Sequence, residues 1–423
     1  SGGRRFAHAP CAPPYCAFAC FGPPPEYYAD SSGLENLGPL PGPLECRSGD
    51  SVARYHAIGY SVPEEEVVAC VPEKVWDFAL VQAGHIETYI FEPGTVSELE
   101  YKRMYRSSWF ALSPRKNGWE SMRHYEVLAS GSVPVMDLKS CPKRTLAHLP
   151  KDLLRRVLEL PGLELNESEG RGPKIRPHLF DSEAYLKVAS DLLRYTRHRL
   201  TTKAMAAYVL RAAGHEGAKK VLFVAECGYG NFLCYTMIHG FRRLLGRGFL
   251  DYPKEEYLYA PAQNRSLLSR FQAWTMCPAG NGLIGNGGGC WNIFGGRPTV
   301  VSMGEHAPLY GLGYSYAHRL ADEEPPLDRT TLAVQRGVEA KRFDVVIFGG
   351  LSAGLPCINS PTRLPKGVCR RLWNQVREHY PPSRIIVLDG ADRPWGNVGT
   401  RQQMKTVALQ ANYFMTNLPD ECP

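Results

Sequence analysis

Residues 105–137 read Y-R-S-S-W-F-A-L-S-P-R-K-N-G-W-E-S-M-R-H-Y-E-V-L-A-S-G-S-V-P-V-M-D. The apolar run Ser108–Ser113 is a short strand that stops at Pro114. Arg115, Lys116, Asn117 and Gly118 make a tight polar turn. Trp119 to Ala129 is helix-compatible, with Met122, Val127 and Leu128 as apolar positions and Glu120 in the first turn, where a negative charge suits the helix dipole. Gly131 fits the helix end, and Val133 to Met136 is a buried-strand candidate. The stretch is one βαβ unit, and a basic loop feeding a helix N-terminus is a place for a phosphate. Arg123 and Glu126, three apart, share a helical face. They are either ligand-binding residues or an ordinary surface ion pair, and spacing does not choose.

Working outward, the 423 residues allow two or three domains and a sizeable core. The 44% hydrophobic and 22% charged content is that of a globular protein. No run of about 18 apolar residues is present, so no transmembrane helix is expected. The opening S-G-G-R-R-F, without initiator Met or apolar leader core, reads as a trimmed form. A net charge of +7 suits an anionic ligand. No long basic stripe interleaved with aromatics is present, so no nucleic-acid partner is expected.

Residues 1–50 are rich in Pro, Gly and Cys and read as an extended arm that could bind a protein partner. Cys11, Cys16, Cys20 and Cys46 crowd this arm among 13 cysteines in all. Their spacing lacks a second C-x2-C or paired His, so zinc is poorly supported; disulfides and free thiols both stay open. Sequons at Asn166 and Asn264 permit a lumenal location. Residues 51–160 are expected to be one α/β half. Residues 161–217 are a linker and a helical hairpin that packs between halves, and 218–423 are a second, Rossmann-like half with a Gly-rich loop at 279–308. The turn Glu226-Cys227-Gly228-Tyr229-Gly230-Asn231 is not G-x-G-x-x-G, which weighs against a dinucleotide. Ligands in open α/β sheets sit at the carboxyl ends of strands, where Glu226, Gly349-Gly350, Asp389 and Asp392 fall. Cys141 has no recognisable His partner and reads as structural.

The central block resembles the exostosin-like glycosyltransferases, whose pattern F-x-L-x-P, G, S-x-R-x-x-E, G-x-x-P-V is matched by Phe110, Leu112, Pro114, Gly118, Ser121, Arg123, Glu126, Gly131, Pro134 and Val135. It is more similar still to exostosin-like proteins of large algal viruses and unicellular algae. The shared segments are Trp119, Arg123-His124-Tyr125-Glu126, Cys141-Pro142, Leu149-Pro150-Lys151-Asp152-Leu153-Leu154 and Tyr60-Ser61-Val62-Pro63-Glu64-Glu65. The chain departs from that group at Arg115 and Asn117, and has Glu120 where Asp is expected.

The resemblance implies an α/β protein of two Rossmann-like halves, GT-B-like, joined by a helical segment. The donor motif stands early in the chain, so the order looks permuted. It implies a nucleotide-sugar donor, a glycan or glycoprotein acceptor, and no metal or cofactor, because basic side chains neutralise the departing diphosphate. Arg115, Lys116, Arg123 and Glu126 are the implied donor-binding residues, with Glu126 on the ribose and Arg123 and Glu126 facing an open cleft. A base for the acceptor hydroxyl must come from across the cleft; Glu226, Asp251, Asp389 and Asp392 are the candidates. The endomembrane lumen or an organelle fits such an activity. The alternatives are a catalytically inactive glycosyltransferase-like scaffold or subunit, and a nucleotide-dependent enzyme of another class.

Overall fold

The apolar run Val221–Ala225 is buried along its whole length, as a strand covered on both faces must be. In a computed structural model of the chain this strand lies inside a seven-stranded mixed sheet. The structure describes residues 20–21, 23–34, 42–79, 98–115, 118–165, 174–225, 232–255, 258–259, 283–284, 290–291, 320, 328–351, 367–391 and 398–422.

The chain is α/β. Strands β1 (Leu44–Ser48) and β2 (Ser51–Ala57) form a hairpin. Strands β3 (Trp76–Phe78), β4 (Ser108–Leu112) and β5 (Val133–Val135) form a small parallel sheet, with helix α1 (Glu98–Arg106) before β4 and α2 (Met122–Ala129) before β5. Helix α3 (Lys151–Leu158) follows, then the hairpin α4 (Ser182–Arg199) and α5 (Thr202–Ala212), each started by a capping side chain, Asp181 and Thr201. The rest alternates: β6 (Val221–Ala225), α6 (Phe232–Leu245), β7 (Phe249–Tyr252), α7 (Thr331–Glu339), β8 (Val345–Leu351), α8 (Val368–His379), β9 (Ile385–Asp389), α9 (Val398–Ala408) and β10 (Asn412–Met415).

The large sheet runs β7-β6-β8-β9-β10-β2-β1. Its strands from β7 to β2 are parallel, and β1 closes the edge antiparallel. Numbered by chain order, β6 to β10 stand 2-1-3-4-5, a doubly wound order whose direction of winding switches between β6 and β8. Alternation along β6 divides the core. Val221, Phe223 and Ala225 face α6 and the helical hairpin, whereas Leu222 and Val224 face α7, α8 and α9. Gly349 is required where Phe223 presses on β8, since a Cβ there would lie 2.2 Å from the ring.

Two expectations change. Residues 51–57, read as the opening of the first half, pair with Tyr413–Met415 and extend the large sheet instead of joining β3–β5. Residues 44–48 are not loop-like arm but the edge strand, and Pro25–Ala29 is a short helix docked on α4 through Tyr27 to Asp191 and Tyr28 to Ser190. The cause is tertiary: Cys46 is bonded to Cys422, joining the hairpin to the far end of the described chain. Cys70, Cys234 and Cys369 are also disulfide-bonded, and Cys141 is a free thiol. One apolar cluster runs from Phe110 and Val133 of the small sheet through Leu192 and Met205 of the helical hairpin to Phe223 and Ile347 of the large sheet. Among the described residues no helix is long and apolar enough to cross a membrane. Residues 80–97, and the Gly-rich loop apart from four residues in two short paired segments, lie outside the described residues.

Candidate functional site at the junction of the two sheets

Helix α2 begins at Ser121, whose hydroxyl accepts the amide of Arg123. The residues just before it are held from a distant part of the chain. The side-chain oxygen of Asn417, two residues past β10, accepts the N–H of Trp119 at 2.9 Å and of Glu120 at 3.2 Å. The Asn417 amide nitrogen donates to Ala391 O at 3.1 Å, in the turn after β9. The start of the motif helix is thereby fixed to the carboxyl edge of the parallel sheet, where ligands of open α/β sheets sit.

Glu120 is 5% exposed. Its Oε1 accepts the N–H of Tyr60 at 3.1 Å and the hydroxyl of Tyr125, while Oε2 has no hydrogen-bond partner among the described residues. Burial pushes its carboxyl up to about 8, against the lowering effects of Tyr125, the Tyr60 amide and the Lys151 charge. At neutral pH it is therefore largely protonated, and the proton belongs on Oε2 because Oε1 already accepts twice. Gly59 makes this packing possible: a Cβ there would lie 2.2 Å from the Tyr125 hydroxyl.

His124 braces the turn before the helix. Its Nε2 lies 2.9 Å from Trp119 O, which can only accept, so Nε2 carries the hydrogen and Nδ1 accepts from the Ser113 hydroxyl at 2.8 Å. Burial pushes the ring down to about 4 and keeps it neutral, in keeping with that tautomer. Lys151 at the start of α3 donates to Thr145 O, Lys143 O and Pro142 O, with its ammonium 3.9 Å from the Cys141 sulfur. Burial raises the Cys141 thiol, so it is a poor thiolate.

The implied donor-binding residues divide. Arg115 is exposed and lies over the Trp119 ring at 4.7 Å. Lys116 lies outside the described residues. Arg123 is half-buried, its charge set among Tyr105, Tyr101 and Glu126. Glu126 does not face an open cleft: it is 1% exposed and accepts the Tyr101 hydroxyl at 2.5 Å. The reason is α1, whose Tyr101 and Tyr105 stack edge-on against each other and cover that face of α2. Direct contact between Glu126 and a ribose is not available in this arrangement.

Of the candidate bases, Glu226 and Asp392 lie outside the described residues. Asp251 is a buried anchor, accepting from Arg329 at 2.7 Å, Tyr259 at 3.0 Å and the Glu255 amide at 3.0 Å, which leaves it no role with a ligand. Asp389 lies at the carboxyl edge but is 1% exposed. Its oxygens accept from Ala391 N at 2.9 Å and Tyr413 at 2.6 Å, and burial pushes it up to about 6.

Comparison of the chain with protein-family models, with curated proteins and with solved structures finds no match. Among the described residues no group of three His, Cys, Asp or Glu side chains is arranged to hold a metal. The structure brings Glu120, Tyr125, Gly59, Tyr60 and Asn417 together, none of which sequence reading placed in a site. Asn417 carried a usable signal, since it follows the last strand at its carboxyl end. Glu120 carried only a misleading one, its place at a helix start.

Proposed function

We propose that the protein is a GT-B-like glycosyltransferase that moves a sugar from a nucleotide-sugar donor to a glycan or glycoprotein, without a metal. The observation that carries this reading is the Asn417 bridge. It sets the block that resembles the exostosin donor motif against the carboxyl edge of a second parallel sheet, as two halves sharing a crevice require. In this reading the donor half includes β3–β5, the second half is the large sheet, and the chain order is permuted. Arg115, exposed beside the start of α2, and Arg123 would face the diphosphate, with the helix N-terminus adding its partial positive charge. Glu126 then acts indirectly, orienting Arg123 and α1. The disulfides support an oxidising compartment such as the endomembrane lumen.

A second reading, a catalytically inactive scaffold with residues 1–50 as a contact arm, is favoured by one observation: the burial of Glu126. Calorimetric titration with UDP-, GDP- and CMP-sugars separates the two. The transferase reading expects saturable binding by at least one donor, weakened about tenfold or more in Arg123→Ala, since a charge-assisted contact is worth about 1.5–3 kcal/mol. Absence of binding by every donor sinks it and leaves the scaffold.

A further inference from the structure

Arg115 differs from the other arginines that lie over aromatic rings. Arg194, over Tyr27, is 3.5 Å from the Asp191 carboxylate, and Arg329, over Tyr259, donates to Asp251 at 2.7 Å. Arg377 lies over Trp373 at a looser 5.9 Å, one turn along the same helix, α8. Arg115 is exposed, with its guanidinium carbon 4.7 Å from the centroid of the Trp119 ring, and among the described residues it makes no hydrogen bond or ion pair. A guanidinium stacked on a ring uses its face, and its five N–H donors lie in its plane, free for another partner. The ring beneath it is firmly held. The Trp119 N–H donates to Asn417 Oδ1 at 2.9 Å, and its carbonyl accepts from His124 Nε2 at 2.9 Å. The half-buried side chain packs on the apolar cluster that includes Phe110 and Tyr125. Asn417 in turn donates to Ala391 O, so the ring is a shelf fixed at the carboxyl edge of the large sheet. The next residue, Glu120, is held largely neutral by burial and does not oppose an anion there.

We propose that Trp119 is the positioning residue of an anion site, its ring holding the Arg115 guanidinium so that the free N–H donors take the diphosphate of a nucleotide. The nucleotide rests on the glycosyl-transfer reading; the anion site rests on the stack itself. A planar guanidinium grips two phosphate oxygens at once, which a lysine ammonium does not. An arginine loses rotamer freedom when a ligand fixes it, and a shelf that already holds it lowers that cost. Trp119 thereby strengthens binding without touching the ligand. Arg123 is a second positive charge on the same helix, but it is half-buried among Tyr101, Tyr105 and Glu126. Arg115 is the arginine of this block whose donors are open to solvent and to a ligand.

The test is calorimetric titration of the full chain with UDP, inorganic pyrophosphate and uridine. UDP and pyrophosphate are expected to bind, and uridine far more weakly. Arg115→Ala, at an exposed position, should leave thermal unfolding unchanged and weaken UDP and pyrophosphate about tenfold or more. Arg115→Lys should recover only part of that loss. Trp119→Leu should weaken both ligands about threefold, and Trp119→Phe, which keeps a ring, should restore most of it. Because Trp119 acts through Arg115, Trp119→Leu made in the Arg115→Ala background should change affinity no further, a result that general loosening of the fold would not give. Wild-type affinity in Arg115→Ala overturns the proposal, as do equal losses from Trp119→Leu in the two backgrounds, uridine bound as tightly as UDP, or no binding of UDP and pyrophosphate by the wild type. Nucleotide-sugar binding that ignores both positions removes this site and leaves the glycosyl-transfer reading to Arg123. Pyrophosphate binding with the expected pattern, but no nucleotide sugar bound, keeps the anion site and removes that reading.

Discussion

The side-chain oxygen of Asn417 accepts the backbone N–H of Glu120 at 3.2 Å, across 297 residues of chain. One amide side chain thus fixes the start of α2 and, through its nitrogen, the turn after β9.

Asn417→Ala is expected to destabilise the protein by about 2–4 kcal/mol, because the Trp119 and Glu120 amides and the Ala391 carbonyl all lose a partner. Chemical denaturation measures this. A loss under about 0.5 kcal/mol would show that water replaces the side chain and that the bridge carries no weight.

Gly59→Ala should cost about 1–3 kcal/mol, since its Cβ meets the hydroxyl of a fully buried Tyr125. The same change made in a Tyr125→Phe background should cost less, because the nearest atom is gone and the next, the ring Cζ, is 3.2 Å away. Equal costs in the two backgrounds would place the strain elsewhere.

The pH dependence of Glu120 is isolated by comparing Glu120→Gln with wild type. Its folded-state value of about 8 lies above the ordinary value of about 4.3, so the folded protein keeps a proton that the unfolded chain releases. This contribution is fully present below about pH 4 and is lost as pH rises to about 8. The other buried groups, His124 and Asp389 among them, titrate in both proteins and cancel in the difference. Between about pH 6.5 and 8 the stability gap should move by about 2 kcal/mol in favour of the variant. A gap that stays constant over that range means that Glu120 is already ionised at neutrality.

Replacing Cys46 and Cys422 by serine is expected to cost about 2–5 kcal/mol, given the 376-residue separation that the bond closes. Hydrogen exchange should accelerate first at β1 and β2, the edge that this bond holds. The C-terminal residues keep other attachments, with Asp420 accepting the Lys143 and Arg144 amides and Thr145 donating to Leu418 O. Unchanged stability and exchange would show that these suffice alone.

Periodicity along 105–137 located β4, α2 and β5 to within a few residues, because those elements rest on local alternation, a capping Ser121 and a left-handed Gly131. The runs at Val221, Val345 and Ile385 were legible as buried strands for the same reason. Sequence also marked Arg123 and Glu126 as sharing one helical face. It had no means of showing that Tyr101 and Tyr105, some twenty residues earlier, would cover that face.

The sequence by itself determined the elements and the α/β class, because hydrophobic period and turn chemistry act over a few residues. Only the tertiary structure decided which strands meet, and so which residues share a site. The hairpin at 44–57 joins the last strand because Tyr55 and Tyr413 pair and Cys46 bonds Cys422, contacts between opposite ends of the chain. The change in Glu120, from a residue that suits a helix dipole to a buried acid titrating near 8, has the same origin. Desolvation comes from all the chain packed around a carboxyl, and a local stretch of sequence carries almost none of it.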